Sequence, residues 1–376
     1  MIRGLLMWIC MGCAGLLPAQ ELRLGIPLSH AIAPTRLAVS DDGTKAASGS
    51  PDHSILLRET ETGKALQRFN GHQAAISGLQ FLSNDRLLSW SSDGTLKIWS
   101  CRNHLQPLRH SLEAHRSPVT RVLPFQKILL SSDESGLIIS WDTANGKRLQ
   151  NLQAHQGALL ALHALPDGRI FSASAQDGWK VWTIDKQQLQ LQHSGNLPAQ
   201  TALLEVAADG TLFLCTRDAR TAILPYRNGQ YEDEASLIQL PVSEAERRRF
   251  TPMFAFRRNG GNWICVSAGA ICAVSPDGKT TLLSESAHAR LLHATLQPSN
   301  EAIWYSRNDG SIYQLLQTKE QRFYNSSTEQ AEHFIPTSNG SLLALLGGRF
   351  TALDAQGRIA FRESEPAPLS MLSGSL

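Results

Sequence analysis

An all-β propeller of eight four-stranded blades is the fold this sequence predicts, and three observations predict it. Four segments in the first half repeat one pattern. Eight polar turns punctuate the chain at a nearly constant interval. A histidine precedes each of the first four repeats. A fixed period of a few tens of residues marks units that bury their apolar faces only by stacking on neighbours. With 376 residues, 42% hydrophobic and 18% charged, the chain has ample material for such a core. A formal net charge of +2 gives no electrostatic case for a nucleic-acid partner.

Residues 1–19 read as a signal peptide. Arg3 is the positive start, Gly4 to Leu17 is apolar and uncharged, and Ala19 is the small residue before cleavage. The apolar run is too short for a good membrane span, and no later segment is long enough, so no transmembrane segment is expected. Export to a secreted or periplasmic location follows, with lipid anchoring at Cys13 as the alternative.

The repeated segments are AASGSPDHSILLRE (46–59), LLSWSSDGTLKIWS (87–100), LLSSDESGLIISWD (129–142) and IFSASAQDGWKVWT (170–183). Each is an apolar strand, a turn and a second strand. Trp99, Trp141 and Trp182 end that second strand, and Arg58 takes the place in the first segment. The intervals from 58 to 99, 141 and 182 are 41, 42 and 41 residues. His30, His72, His115 and His155 precede the four units.

The second half keeps only the rhythm. Polar turns fall at Asp42-Gly43, Asn84-Asp85, Gln126-Lys127, Asp167-Gly168, Asp209-Gly210, Asn259-Gly260, Asn300-Glu301 and Asn339-Gly340. Such pairs supply the positive φ angles of tight hairpins. The blades expected from them lie near 30–70, 72–113, 115–153, 155–193, 197–242, 248–286, 288–327 and 331–363, within a propeller spanning 21–363. A charged insertion, Tyr231 to Glu234 and Glu244 to Arg249, is expected on a loop. Either Leu22 to Leu28 or Arg358 to Arg362 is expected to close the ring. Seven blades with an irregular remainder is the alternative, and 364–376 reads as a flexible tail.

Residues 30–183 resemble the WD40-repeat family, and Trp141-Asp142 is its eponymous dipeptide. The resemblance implies a tetrad of His, Ser or Thr, Asp and Trp in each blade. His72, Ser89, Asp93 and Trp99 fit it in full. Blade 1 has His30, Ser48 and Asp52 with Arg58 for tryptophan. Blade 3 has His115, Ser131 and Trp141 with Ser135 where Asp is expected. Blade 4 has His155, Ser172, Asp177 and Trp182 with its turn one residue short. A complete tetrad is therefore expected in blade 2 alone. The resemblance also implies a protein or peptide partner on the face carrying the histidines. The candidate contacts are Pro51, Ser92, Glu134 and Gln176 beside the turns, Arg116 and Gln156 after the histidines, and Trp90.

Motifs for catalysis are absent: no nucleophile elbow, zinc helix, Walker loop or dinucleotide fingerprint occurs. His, Ser and Asp recurring at the blade period read as structure, because one catalytic site needs no four copies. His104, His110, His163 and His193 lack metal-ligand spacing, and His288 and His293 read as loop and strand residues. The inner strands of the first four blades are short of carboxylates. No cofactor is expected. The function expected is an exported, monomeric interaction scaffold. The alternatives are a hydrolase or lyase with its site in the central channel, or a glycan binder using Trp263, Trp304, Tyr305 and Tyr324. A two-residue turn at Ala268-Gly269 places Cys265 opposite Cys272, and a disulfide between them is possible in an oxidising compartment. Cys101 and Cys215 have no evident partner.

Overall fold

A computed structural model describes residues 30–362 apart from 33, 103–104, 228–229, 232–235, 287–289, 298–300, 317–318, 326–328 and 338–340. The export segment with Cys13, Leu22 to Leu28, the 364–376 tail, His104 and His288 lie outside the described residues. So do Asn300 and the Asn339-Gly340 turn.

The described strands form eight antiparallel sheets of four strands. They span 36–69, 76–113, 119–153, 159–195, 201–239, 252–285, 291–325 and 331–362. Every sheet is built from four consecutive strands in sequence order, so all contacts within a blade are local. The first strand of each blade packs on the first strand of the next, and Arg36–Val39 meets Ala331–Pro336 to complete the circuit. The ring therefore has eight blades, not seven. Ile359–Arg362 forms the outer edge of the eighth blade.

The middle strands explain why the repeat reads as apolar runs. Ile128–Asp133, Ile170–Ser174, Leu212–Thr216 and Leu342–Leu346 are buried at every position, because both faces of the blade are covered. Outer strands such as Leu108–Glu113 are mostly exposed. The core is consequently a series of seams. Ile264, Val266 and Ile271 of blade 6 pack on Leu291, Ile303 and Tyr305 of blade 7. Leu343, Leu345 and Phe350 of blade 8 pack on Leu37 and Ala46 of blade 1. Each fully buried aliphatic side chain contributes on the order of 1.5–3 kcal/mol. Arg58, in the place of a tryptophan, is 3% exposed and lies over the Phe350 ring at 5.7 Å. Its stem and guanidinium thus belong to the closing seam.

Part of the charged insertion corrects the expectation of a loop. Glu244–Arg248 is a one-turn helix, with Ser243 as its N-cap. Glu246 is 1% exposed and accepts a bond from the Ser267 hydroxyl at 2.9 Å and one from Arg249 Nε at 2.8 Å. The insertion thus plugs the second hairpin turn of blade 6, which lacks a tetrad.

The cysteines correct the disulfide expectation. Cys265 and Cys272 are directly paired across their hairpin, yet both are free thiols, as are Cys101 and Cys215. The opposed pair packs into the seam with blade 5, beside Trp263 and Val274. There the Cys265 Sγ lies 3.7 Å from the Sγ of Cys215, which therefore does have a neighbour.

Candidate functional site

The face carrying the histidine connections is organised by hydrogen-bonded chains of side chains. In blade 2 the Trp99 indole donates to Ser89 Oγ at 2.8 Å. Ser89 Oγ lies 2.8 Å from His72 Nε2, and His72 Nδ1 lies 3.0 Å from Asp93. One direction satisfies every group: indole N–H to hydroxyl, hydroxyl to Nε2, Nδ1–H to carboxylate. It requires a neutral imidazole, and burial lowers the His72 pKa despite the opposing pull of Asp93. Burial opposes ionisation of Asp93, but bonds from the Gln73 N–H and Thr95 outweigh it and hold its pKa down.

Blades 3 and 4 have the same complete chain, which corrects the expectation of a tetrad in blade 2 alone. Trp141 donates to Ser131 at 2.8 Å, and His115 bridges Ser131 at 2.7 Å and Asp133 at 2.9 Å. The carboxylate is Asp133, not a residue at position 135. Ser135 donates to Asp133 at 2.6 Å, so acid and hydroxyl have exchanged the places they hold as Ser91 and Asp93 in blade 2. In blade 4 Trp182, Ser172, His155 and Asp177 link at 2.7, 2.8 and 2.7 Å. Lys180 completes that group by bridging Asp177 and the Ala154 carbonyl. Blade 1 is a variant: His30 bonds Ser48 and Ser54, both at 2.8 Å, and Ser54 passes the link on to Asp52 at 2.6 Å.

Glycines join these units across blades. A Cβ at Gly94, whose φ is +78°, would stand 2.6 Å from the His115 carbonyl oxygen. One at Gly136, with φ of +82°, would stand 2.4 Å from that of His155. The second hairpin turn of one blade therefore lies directly under the histidine connection of the next. Ser92 N–H donates to the Ala75 carbonyl and Glu134 N–H to the Pro118 carbonyl, so each turn is also tied to its own blade's histidine connection. Gln176, in the turn of blade 4, lies over Gly157 of that blade's own histidine connection. Ser92, Arg116, Glu134, Gln156 and Gln176 are exposed and form one arc over blades 2 to 4. Pro51 is half-buried in blade 1. Trp90 is half-buried too: its indole lies flat over Gly78, where a Cβ would sit 2.0 Å from the ring.

The inner strands of blades 4 to 8 bring His163 and His293 against two residues that the sequence reading did not single out, Glu205 and His333. His163 Nε2 of blade 4 lies 3.7 Å from Glu205 of blade 5. His293 stacks on His333 at 4.4 Å. Burial pushes the histidines down, His163 and His333 to about 4 and His293 to about 3, and pushes Glu205 up to about 6. Their signal lay in the alternation of the second-half inner strands. Among the described residues no group of three or more His, Cys, Asp or Glu is arranged to hold a metal. The aromatic residues considered for glycan contact are core: Trp263, Trp304 and Tyr305 are 2%, 1% and 0% exposed, and Tyr324 is half-buried. No described helix is long and apolar enough to cross a membrane.

Residues 63–100 match the family model described as WD domain, G-beta repeat. The chain is 31% identical over 148 residues to Apoptotic protease-activating factor 1 of Danio rerio, covering 36% of this chain and 11% of that protein. It is 35% identical over 111 residues to Target of rapamycin complex subunit wat1 of Schizosaccharomyces pombe, covering 28% of this chain and 34% of that one. The chain thus spans a minor part of each relative's length. Both relatives are eukaryotic. The crystal structure of the computationally designed Ika8 protein superposes with a TM-score of 0.62 at 20% identity, covering 88% of this chain and 96% of that one. That likeness concerns the fold alone. The family-model match and these relatives show that part of the chain is similar to WD40-repeat proteins.

Proposed function

We propose that the chain is an exported, monomeric interaction scaffold that receives a protein or peptide on the arc over blades 2 to 4. WD40 propellers bind proteins, and the wat1 relative is by name a subunit of a complex. The observation that carries the reading is the run of three adjacent tetrads. They fix the turns bearing Ser92, Arg116, Glu134, Gln156 and Gln176, so little ordering entropy is lost when a partner docks. The arc offers a hydroxyl, a cation, an anion and two amides, which suits a polar partner surface. Export rests on Arg3 and the apolar run from Gly4 to Leu17.

The test immobilises the protein beginning at Gln20 and exposes it to envelope and culture-supernatant extracts of its own cell. An Arg116→Glu, Glu134→Arg variant runs beside it. A protein retained by the wild type and lost on the variant supports the reading. Equal retention by both moves the site off the arc. Mass measurement of the secreted chain checks export: an intact residue 1–19 segment in a protein retained inside the cell overturns it.

A further inference from the structure

The connection from blade 5 to blade 6 carries a basic surface onto the face of the tetrads. It leaves the outer strand at Gln239, turns through the helix Glu244–Arg248 and enters the first strand of blade 6 at Pro252. In the chain this is the place that the histidine connections hold in blades 2 to 4. The buried Glu246 seats the helix on the second hairpin turn of blade 6: a Cβ at Gly269 would stand 2.2 Å from its Oε2.

Contacts run from this connection to the blades on either side. The Leu240 N–H donates to the Ala219 carbonyl in the second hairpin turn of blade 5. Arg249 Nη2 donates to the Ser286 carbonyl at 3.3 Å, in the connection to blade 7. Arg290 enters blade 7, and its N–H donates to the Asn308 side chain at 2.8 Å. The turn of blade 5, the helix and the start of blade 7 therefore form one surface.

Segments 217–220, 243–249, 285–290 and 307–309 hold seven arginines against five carboxylates. Every one of those carboxylates is already engaged. Asp218 pairs with Arg220 at 2.6 Å, Glu244 with Arg248, and Glu246 with Arg249. Glu285 accepts from the Ser243 hydroxyl, and Asp309 from the Ser311 N–H at 2.9 Å. Arg307 pairs with Glu320 at 3.0 Å. Arg217, Arg247 and Arg290 are left. All three are exposed, and among the described residues their side chains meet no carboxylate and no hydrogen-bond acceptor. Like charges gathered on one surface contribute nothing to the fold, but their summed field draws in the opposite charge.

We propose that this surface binds an acidic peptide segment of a protein partner, laid across blades 5 to 7 with its carboxylates on Arg217, Arg247 and Arg290. A guanidinium presents a planar fork that matches a carboxylate with two parallel bonds. The surface is separate from the arc over blades 2 to 4, and the proposal does not rest on that arc.

The test follows the fluorescence anisotropy of a labelled hexaglutamate peptide titrated with the full chain, with hexalysine and hexathymidylate in parallel. Saturable binding of hexaglutamate alone is expected, weakening as salt rises from about 0.05 to about 0.5 M. A variant carrying Arg217→Gln, Arg247→Gln and Arg290→Gln should bind roughly tenfold more weakly, as the loss of three exposed ion pairs of modest strength implies. A second variant, Arg102→Gln with Lys279→Gln and Arg358→Gln, removes the same charge from exposed turns of the opposite face and should bind as the wild type does. No saturable binding up to about 1 mM protein, the weak end of measurable affinity, overturns the proposal. Equal weakening in the second variant shows a response to net charge alone and overturns it too. Hexathymidylate held as tightly as hexaglutamate overturns the assignment to an acidic peptide.

Discussion

Asp133 meets His115 Nδ1 at 2.9 Å from two residues beyond Ser131, whereas Asp93 meets His72 at 3.0 Å from four beyond Ser89. Asp177 makes the same contact from five beyond Ser172. The carboxylate is fixed in space and free in sequence. Asp133→Ala should therefore lower stability by about 1–3 kcal/mol, the cost of stranding a buried partner. Asp133→Ser with Ser135→Asp copies the order of blade 2 and should recover most of the loss. Urea midpoints of the three proteins check this, and a double variant no better than Asp133→Ala refutes it.

Gly78 exists to seat the Trp90 ring. Gly78→Ala drives a methyl group into the indole and should cost about 1–3 kcal/mol, the range for overpacking. Adding Trp90→Ala should remove most of that clash. Thermal midpoints of the two variants, compared with Trp90→Ala alone, measure the coupling.

Glu246 is the only carboxylate that the helix Glu244–Arg248 buries. Glu246→Ala leaves the Ser267 hydroxyl and Arg249 without it, and should destabilise by about 1–3 kcal/mol. Hydrogen exchange should accelerate first at residues 243–250 and in the turn at 267–270. Uniform acceleration across all blades would show instead that the helix is integral to the whole ring.

Stability should rise with pH between about 4 and 6.5. Burial lowers His72, His115 and His155, and lowers His163 and His333 to about 4 and His293 to about 3. In the unfolded chain they titrate near about 6.5, so below that pH the unfolded state takes protons the folded state refuses. Glu205 acts oppositely. Raised to about 6, it favours the fold while protonated, and that contribution disappears as pH climbs through about 6. Urea midpoints across pH should show a flatter acid limb in His293→Phe. Glu205→Gln should gain stability at about pH 7.5 and little at about pH 4.

The four described cysteines should be silent in the folded protein. Burial pushes Cys101 up to about 11 and Cys272 up to about 12, and Cys265 is raised through its contact with Cys215. A thiol reagent should modify none of them at about pH 8 before unfolding and all four in denaturant. Rapid labelling of Cys265 in the native state would contradict the packed seam.

The first four blades were legible because their tetrads need particular polar residues at a recurring period. Blades 5 to 8 were legible only through turns such as Asp209-Gly210, because seam packing asks merely for apolar residues of suitable size. Asp133 was hidden, since a turn can deliver one oxygen to one point from several offsets. Glu246 was hidden because its partner Ser267 lies 21 residues away on another element. The opposed register of Cys265 and Cys272 was readable from a two-residue turn. Their thiol state was not, because it depends on the facing blade.

The joint between the first and last blades has a mechanical consequence. Among the described residues no strand crosses it, and the described part of the joint is packing between side chains, like a bracelet without a clasp. Leu37 and Ala46 pack there against Leu343, Leu345 and Phe350, with Arg58 laid over that phenylalanine. Under load or heat this is where the circle should part first. The remaining blades would then stay as an open arc, with the arc of tetrads still assembled at its middle.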